Sequence, residues 1–215
     1  MRVHPIESES YRILHQRIDL SGLAPSVAAV TARVIHASAD LDFAQLMVLD
    51  DASVSAGIDA VRAGAPVVCD VQMVRSGITS VATTCLLDEA TAGPNGTPTR
   101  SANAIARAAA RWPEGAIFVI GCAPTALFEV VRLVESGALH PALVIGMPVG
   151  FVGAAEAKAA LRRLAADRPG DRPLHAISNV GEKGGSAVAS AAFNAIVRLA
   201  GAHGDPGDRP APERP

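Results

Sequence analysis

The sequence is poor in aromatic residues and has almost no excess charge of either sign. Aromatic side chains make up 3% of the 215 residues, and 19 Lys and Arg are nearly balanced by 21 Asp and Glu. A protein that tracks the phosphates of a nucleic acid needs a basic surface, and one that stacks on bases needs aromatic rings. We therefore expect no nucleic-acid partner.

Cysteine is scarce as well, with Cys69, Cys85 and Cys122 as the three in the chain. They are too few and too far apart for a disulfide framework or a CxxC metal site, so we expect no metal site and a reducing, cytoplasmic setting. The N-terminal segment carries charges where a signal peptide would have its apolar core. Residues 137–155 form a long uncharged run, but prolines and glycines interrupt it, so we predict a buried strand, a loop and a helix start there, and no membrane span.

Hydrophobic residues make up 49% of the chain, which is enough for a well-buried core. From residue 66 onward, short β-branched runs bounded by turn formers alternate with helical stretches, a pattern typical of a mostly parallel sheet with crossover helices. The predicted strands are 66–71, 81–86, 116–121, 142–146 and 174–178. The predicted helices are 8–18 with Ser8 as its cap, 25–38, 53–63, 100–112, 123–136, 151–166 and 185–200.

These elements predict an α/β fold, a three-layer α/β/α arrangement with a mostly parallel, Rossmann-like sheet. We expect a single domain over residues 1–202, because no internal repeat or second core is visible. Residues 203–215 are rich in proline, glycine and charge and contain little to bury, so they are predicted to be a disordered, solvated tail.

Three predicted strand-to-helix turns, residues 121–125, 146–150 and 181–186, are rich in glycine and proline. In an open α/β sheet, ligands bind at the carboxyl ends of the strands, where helix N-termini offer free N–H groups to anions. None of the turns matches the GxxxxGK[ST] phosphate loop or the GxGxxG fingerprint. Tight-turn geometry explains each one alone, but together they favour a site for an acidic ligand.

Two side chains near predicted helix ends are candidates for chemistry. His36 lies in a last helical turn, where the helix dipole favours the imidazolium form and the ring could act as a general acid. Spacing alone favours a simpler role, in which the ring caps the last carbonyls. Arg100 opens a helix and could bind a carboxylate, although an ordinary surface arginine fits equally well. Asp40 and Asp42 are interpreted as solvated turn formers, and the cysteines as small apolar packing groups.

Several longer strings are more specific than these general patterns. They are His-Pro-Ile-Glu-x-Glu-Ser-Tyr-Arg-Ile from His4, Val-Ile-His-Ala-Ser-Ala-Asp from Val34, Gly-Ala-Pro-Val-Val-Cys-Asp-Val-x-Met-Val from Gly64, Thr-Arg-Ser-Ala from Thr99, Ala-Pro-Thr-Ala-Leu from Ala123, Met-Pro-Val-Gly-Phe-Val from Met147 and Lys-Gly-Gly-Ser from Lys183. In content and in order, over residues 4–200, the chain resembles the precorrin-8X (cobalt-precorrin-8) methylmutase family of cobalamin biosynthesis.

The resemblance implies an isomerase that moves a methyl group from C-11 to C-12 of a corrin precursor, giving hydrogenobyrinate or its cobalt-bearing counterpart. It implies no redox cofactor, a tetrapyrrole substrate, and a homodimer that holds this substrate near the subunit interface. The family's catalytic histidine falls on His36, as a proton donor to the macrocycle, and its substrate-contacting serine and arginine fall on Ser10 and Arg100. The other expected substrate-binding residues are Thr99, Thr125, Lys183 and Ser186.

The chain departs from the family pattern at three positions. Cys122 stands where an asparagine is expected, Ala157 replaces a serine, and Glu182 stands where a basic residue often precedes the lysine. The amide of asparagine both donates and accepts hydrogen bonds, which a thiol does only weakly. A non-catalytic corrinoid-binding protein is therefore a second hypothesis and a nucleotide-linked α/β enzyme a third, with the methylmutase reaction as the leading one.

Overall fold

The computed structural model describes residues 4–168 and 172–201, and within these ranges it contains a five-stranded sheet. The strands are β1 (Met47–Val48), β2 (Val67–Cys69), β3 (Ile117–Ile120), β4 (Leu143–Gly146) and β5 (Ala176–Asn179). Their order across the sheet is β1-β5-β4-β3-β2, and β2 to β5 are parallel while β1 is antiparallel to β5. The predicted α/β class and mostly parallel sheet are confirmed. The predicted tail, 203–215, lies outside the described residues.

Helices connect the strands and flank the sheet. They are α1 (Pro5–Arg17), α2 (Pro25–Ser38), α3 (Phe43–Leu46), α4 (Asp51–Arg62), α5 (Gln72–Gly77), α6 (Arg100–Arg111), α7 (Pro124–Glu135), α8 (Ala154–Ala166) and α9 (Ser186–Leu199). The helices predicted from the sequence match α1, α2, α4 and α6 to α9, with ends that differ by at most three residues. Proline at the first position of α1, α2 and α7 fixes those starts well, because its ring presets a helical φ.

The side chains of the parallel strands alternate between two hydrophobic layers, as a sheet covered on both faces requires. Ile117 and Val119 of β3 belong to the layer formed with α2, α4 and α9, whereas Phe118 and Ile120 belong to the layer formed with α6, α7 and α8. All four side chains are fully buried. The three-layer arrangement is thus confirmed, and α1 packs on α2.

The segment between β2 and α6 differs from the prediction. Residues 81–86 do not form a strand, and Thr84 makes only an isolated parallel bridge to Val68. Thr84 O accepts the N–H of Cys69 at 2.8 Å, and Thr84 N–H donates to Val67 O at 2.8 Å. The β-branched composition therefore gives an extended backbone at the sheet edge, but the hydrogen bonding stops after one residue.

Some smaller features also differ from the prediction. The strand β1 and the short helices α3 and α5 were missed, because elements of two to six residues leave no periodic signal. Helix α1 begins at Pro5, and the imidazole of His4, rather than Ser8, caps it: His4 Nδ1 accepts the N–H of Ile6 at 3.2 Å.

Gly121, which follows β3, brings the sheet against α5 and α9. A Cβ on Gly121 would lie 2.7 Å from Val74 Cγ2, 2.8 Å from Ala189 Cβ and 3.0 Å from the Cα of Ser186. We expect Gly121→Ala to lower the free energy of unfolding by about 1–3 kcal/mol, the usual cost of overpacking. Urea denaturation measures this change. Gly22→Ala is the matched control, because its added Cβ meets nothing within 4 Å, and equal stability of the two variants would contradict the close approach.

Candidate active site

Turns at one edge of the sheet carry most of the residues that the sequence singled out. The parallel strands β2 to β5 all end at this edge, which is where open α/β sheets bind ligands. Lys183 and Ser186 follow β5, and Thr125 follows β3. The end of α2 lies at the same edge, since Asp40, which follows this helix, binds Lys183. His36 lies in the last turn of α2.

The imidazole of His36 is held by the first helix. Its Nδ1 lies 2.8 Å from the hydroxyl oxygen of Ser10, and its ring stacks on that of Tyr11 with centroids 4.9 Å apart and planes 6° from parallel. Because Ser10 and Tyr11 are neighbours on α1, the packing of α1 on α2 fixes the ring. Among the described residues, Nε2 has no hydrogen-bond partner, so this nitrogen is free to exchange a proton with a ligand.

Burial and charged neighbours shift the pKa of His36 in the direction opposite to the one expected from the helix dipole. Burial lowers the pKa of His36 below its ordinary value, the guanidinium of Arg33 lowers it further, and the carboxylate of Glu7 opposes both. Glu7 Oε1 is bound by Arg33 Nη1 at 2.7 Å and by Arg198 Nη1 at 3.0 Å. The expectation that the environment of His36 favours the imidazolium is therefore wrong, because burial and the guanidinium of Arg33 lower the pKa.

The simpler alternative, in which His36 caps the last carbonyls of α2, is not observed. The hydroxyl of Ser38 donates to Val34 O at 2.9 Å. The N–H of Ala39 donates to Ile35 O at 2.8 Å. These groups satisfy the end of the helix, which leaves the imidazole for Ser10.

The ammonium of Lys183 ties the β5–α9 turn to the residues that follow α2. Its Nζ binds Asp40 Oδ2 at 2.6 Å and Asp42 Oδ2 at 2.7 Å, and these hydrogen bonds raise the pKa of Lys183. Asp40 and Asp42 also shape their turn, as predicted, since Asp42 N–H donates to Asp40 Oδ1 at 3.0 Å. A ligand carboxylate that reaches Lys183 must therefore compete with two carboxylates of the protein.

A second group of predicted residues lies at the start of α6. Thr99 is the N-cap of α6: its hydroxyl accepts the N–H of Ala102 at 3.2 Å and lies 2.8 Å from the hydroxyl of Thr125. Arg100 is the first residue of α6 and is exposed. Thr99 and Thr125 line an open groove of about 530 Å³. Across residues 4–168 and 172–201, no hydrogen bond or salt bridge joins this group to His36.

The side chain of Asp70, which follows β2, binds the turn before α7, where the sequence predicted a ligand. Its Oδ1 accepts the N–H of Gly121 at 3.0 Å, and its Oδ2 accepts the N–H groups of Cys122 and Ala123, both at 2.8 Å. The side chain is fully buried, which raises the pKa of Asp70, and the three N–H groups oppose that rise. The expectation that this turn offers these N–H groups to an acidic ligand is wrong, because the protein's own carboxyl group takes them. The position of an aspartate directly after a buried strand was the available signal.

Lys158 of α8 is a buried cation that sequence reasoning also missed. Its side chain is fully buried, and its Nζ donates to Lys183 O at 2.6 Å and to Asn179 Oδ1 at 3.4 Å. Burial lowers the pKa of Lys158 to about 8, with Arg162 adding to the effect and Glu182 opposing it. No pattern in the sequence indicated this burial, because lysines on helices normally face solvent.

The cysteines contribute packing more than chemistry. Cys69 and Cys85 are buried, as predicted for small apolar groups, and burial raises the pKa of Cys69 to about 12. Cys122 is exposed, contrary to that interpretation, because it lies in the turn after β3. Within the described ranges, no three His, Cys, Asp or Glu side chains lie close enough together to hold a metal ion. Over the same part of the chain, every helix is too short or too polar to cross a membrane.

Ser186, the first residue of α9, is nearly buried beside the turn that contains Gly121. The structure thus brings the predicted residues into two contacting pairs and leaves the others on neighbouring turns or helix starts. The pairs are Ser10 with His36 and Thr99 with Thr125, and the others are Arg100, Lys183 and Ser186.

A half-buried imidazole, with one nitrogen that has no partner among the described residues, beside turns that carry cations and hydroxyl groups, is typical of an α/β enzyme that performs acid–base chemistry on an anionic ligand. Comparison with known families gives the identity. The chain belongs to the precorrin-8X methylmutase family, a family of isomerases whose model matches residues 5–199. The resemblance found in the sequence is therefore confirmed.

Individual relatives agree with this assignment. The cobalt-precorrin-8 methylmutase of Priestia megaterium is 36% identical over 208 residues, which cover 91% of this chain and 87% of the relative. The precorrin-8X methylmutase of Pseudomonas aeruginosa is 37% identical over 204 residues, covering 89% and 93%. The crystal structure of a precorrin-8X methylmutase from Thermus thermophilus has a TM-score of 0.77 at 36% identity and covers 92% of this chain and 98% of that one.

The two charges near His36 give opposite predictions for its titration. We expect Arg33→Gln to raise the pKa of His36, because it removes a positive charge that disfavours the imidazolium. We expect Glu7→Gln to lower that pKa, because it removes the favourable negative charge. Proton NMR of the His36 Cε1–H signal against pH measures both shifts without substrate. Arg107→Gln, an exposed arginine on α6, is the control, and shifts of the same sign in the two test variants would contradict this assignment.

Proposed function

We propose that this chain catalyses the migration of a methyl group from C-11 to C-12 of precorrin-8X or cobalt-precorrin-8, with His36 as the general acid. The observation that carries the proposal is the imidazole of His36, fixed by Ser10 and Tyr11 with its Nε2 unpaired among the described residues. Membership of the methylmutase family gives the reaction class, and the geometry supports a role for each residue.

The proposed step is an isomerisation that starts with a proton. In the imidazolium form both ring nitrogens carry hydrogen, so Nδ1–H donates to the Ser10 hydroxyl and Nε2–H is directed to the substrate. Transfer of that proton to the conjugated ring activates it for the 1,5-shift. The bond from methyl to C-11 breaks as the bond from methyl to C-12 forms, and a proton then returns to His36. Substrate and product have the same atoms and electrons, so no oxidant or reductant is consumed.

The carboxylate arms of the substrate fit the cations and hydroxyl groups at the same edge of the sheet. We assign substrate contacts to Thr99 and Thr125, whose hydroxyl groups border an open groove, and to Arg100, an exposed residue at the start of α6. Lys183 and Ser186 provide the corresponding contacts at the start of α9. Any cobalt belongs to the substrate, and the reducing cytoplasm suits a chain with free thiols.

The principal test is His36→Ala. We expect turnover of precorrin-8X to fall by about 10²–10⁴-fold, the usual contribution of a positioned acid, while the affinity for hydrogenobyrinate changes little. Absorbance of the corrin product measures turnover, and a spectroscopic titration measures binding.

His140→Ala is the matched control for this test. His140 precedes β4 at the opposite edge of the sheet, and the hydrogen bonds that it forms within the described part of the chain, to Pro113 and Gly115, use only backbone atoms. Undiminished turnover in His36→Ala would exclude this acid.

Tight binding of hydrogenobyrinate by the wild-type protein without any methyl migration would select the non-catalytic corrinoid-binding hypothesis instead.

We also propose that the chain forms a homodimer with the substrate near the subunit interface. Apolar side chains that stand largely in solvent support this: Phe151 is 91% exposed and Val152 is 88% exposed, both in the turn that follows β4. Side chains of this kind commonly mark protein contacts.

Sedimentation velocity tests the dimer. We expect a mass of about twice the 22.0 kDa of one chain and a shift toward the monomer in Phe151→Asp, because a charge buried in an interface is costly. Leu23→Asp, an apolar residue in the turn between α1 and α2, is the control. A monomer in the wild-type protein would contradict the proposal.

A further inference from the structure

Lys158 is the largest charged side chain among the described residues that are fully buried, and its surroundings are unusual for a cation. Its Nζ contacts two oxygens, Lys183 O at 2.6 Å and Asn179 Oδ1 at 3.4 Å, and both belong to uncharged groups. Among residues 4–168 and 172–201 its ammonium forms no salt bridge. Burying a cation without a carboxylate partner is costly, so a structural role that an uncharged donor could fill does not account for it.

The contacts of Lys158 converge on the turn that carries two of the proposed substrate-binding residues. Lys183 O accepts from Lys158 Nζ and also from Asn179 Nδ2 at 2.7 Å. The next residue, Gly184, lies so close to the carbonyls of Met147 and Pro148 that a Cβ there would clash with both. The turn is therefore clamped between the ammonium on one side and the β4–α8 turn on the other.

Helix α9 begins directly at the end of this turn. Gly185 N–H donates to Met147 O at 2.9 Å, and α9 begins at Ser186 without a side-chain cap. An anion bound there experiences the positive end of the helix dipole. Because the ammonium of Lys158 lies directly behind the Lys183 carbonyl in a buried environment, its charge is poorly screened and adds to the same potential.

We propose that Lys158 is a positioning residue for substrate binding, which fixes the Lys183–Ser186 turn through the Lys183 carbonyl and makes that turn electropositive toward a substrate carboxylate. The inference rests on the proposed function, because it assigns the turn to an acid arm of the tetrapyrrole. It assigns to Lys158 no contact with the reacting atoms. Lys158 should accordingly affect affinity for the substrate much more than the rate of methyl migration.

The test is Lys158→Met, which keeps the length of the side chain and removes its charge. Replacement of a buried charge by an apolar group of similar volume is usually tolerated, and Lys183 O keeps its bond from Asn179, so we expect the variant to fold. A unit charge about 10 Å from a carboxylate, at an effective dielectric constant of about 20, changes affinity on the order of tenfold. We therefore expect the Kd for hydrogenobyrinate and the KM for precorrin-8X to rise by about that factor at pH 7, with kcat nearly retained.

Salt distinguishes the buried charge of Lys158 from the exposed charges of the surface. We expect the difference in Kd between the wild-type protein and Lys158→Met to persist as the salt concentration rises, because a buried charge is screened much less than an exposed one. Arg163→Gln is the matched control: it removes one positive charge from the exposed face of the same helix, and it should leave the Kd nearly unchanged. An unchanged Kd in Lys158→Met, or a loss of kcat at constant KM, would overturn the inference.

A measurement without ligand keeps this inference separate from the proposed function. If Lys158 clamps the turn, the amide of Gly185 exchanges its hydrogen faster in Lys158→Met than in Arg163→Gln, whatever the substrate is. Failure of the wild-type protein to bind hydrogenobyrinate would overturn the proposed function, whereas unchanged exchange at Gly185 would overturn the inference about Lys158. Should Lys158→Met fail to fold, Lys158→Gln replaces it, and failure of both to fold would assign Lys158 to stability alone and overturn the inference.

Discussion

The side chain of His36 is held between two helices, and the candidate site depends on this contact. Rings at 4.9 Å and 6° are in stacking distance, and such pairs are worth about 0.5–1.5 kcal/mol beyond the area they bury. The hydrogen bond between Nδ1 and Ser10 adds a direction to the stacking, because it turns Nδ1 toward α1 and leaves Nε2 on the other side of the ring. Helix α1 supplies both contacts, so this helix, which buries few of its own residues, orients the imidazole of His36 on α2.

A buried carboxyl group and a buried ammonium group satisfy polar backbone groups of the turns that follow the strands. Asp70 takes three N–H groups at the turn before α7, while Lys158 donates to a carbonyl of the turn before α9. The side chain behind the first turn is thus a hydrogen-bond acceptor, and the one behind the second turn is a donor. In the proposed complex, anionic arms of the substrate are favoured at the second turn and rely on side chains such as Arg100 near the first.

The sequence predicted the architecture well, because the signals for it are local and periodic. The alternation of buried β-branched runs with helices identified β2 to β5 and their crossovers, and proline at Pro25 and Pro124 placed two helix starts within one residue. The strand predicted at residues 81–86 failed because composition indicates an extended backbone but not its partner. Strand β1 was not predicted, because it pairs with a strand more than a hundred residues away in the sequence and therefore leaves no local signal.

The site was predicted in part, for a related reason. Motifs identified Ser10, His36, Arg100 and the others one by one, and the contact of His36 with Ser10 agrees with the motif-based assignment. The partners that set their electrostatics were invisible in the sequence. Arg33 and Glu7 shift the titration of His36 through space, and the burial of Lys158 depends on how α8 docks against β5.

The lowered pKa of His36 fits an acid that becomes protonated when its substrate binds. In the free protein, burial and Arg33 lower the pKa of His36 and so disfavour the imidazolium. In the proposed complex, carboxylates of the substrate bring negative charge to the site and favour protonation in the one state where the proton is needed. Arg33 remains beside the ring in that complex, so the balance between its guanidinium and the substrate carboxylates sets how strongly His36 holds the proton. A helix-end dipole alone would have stabilised the imidazolium at all times and weakened it as a donor.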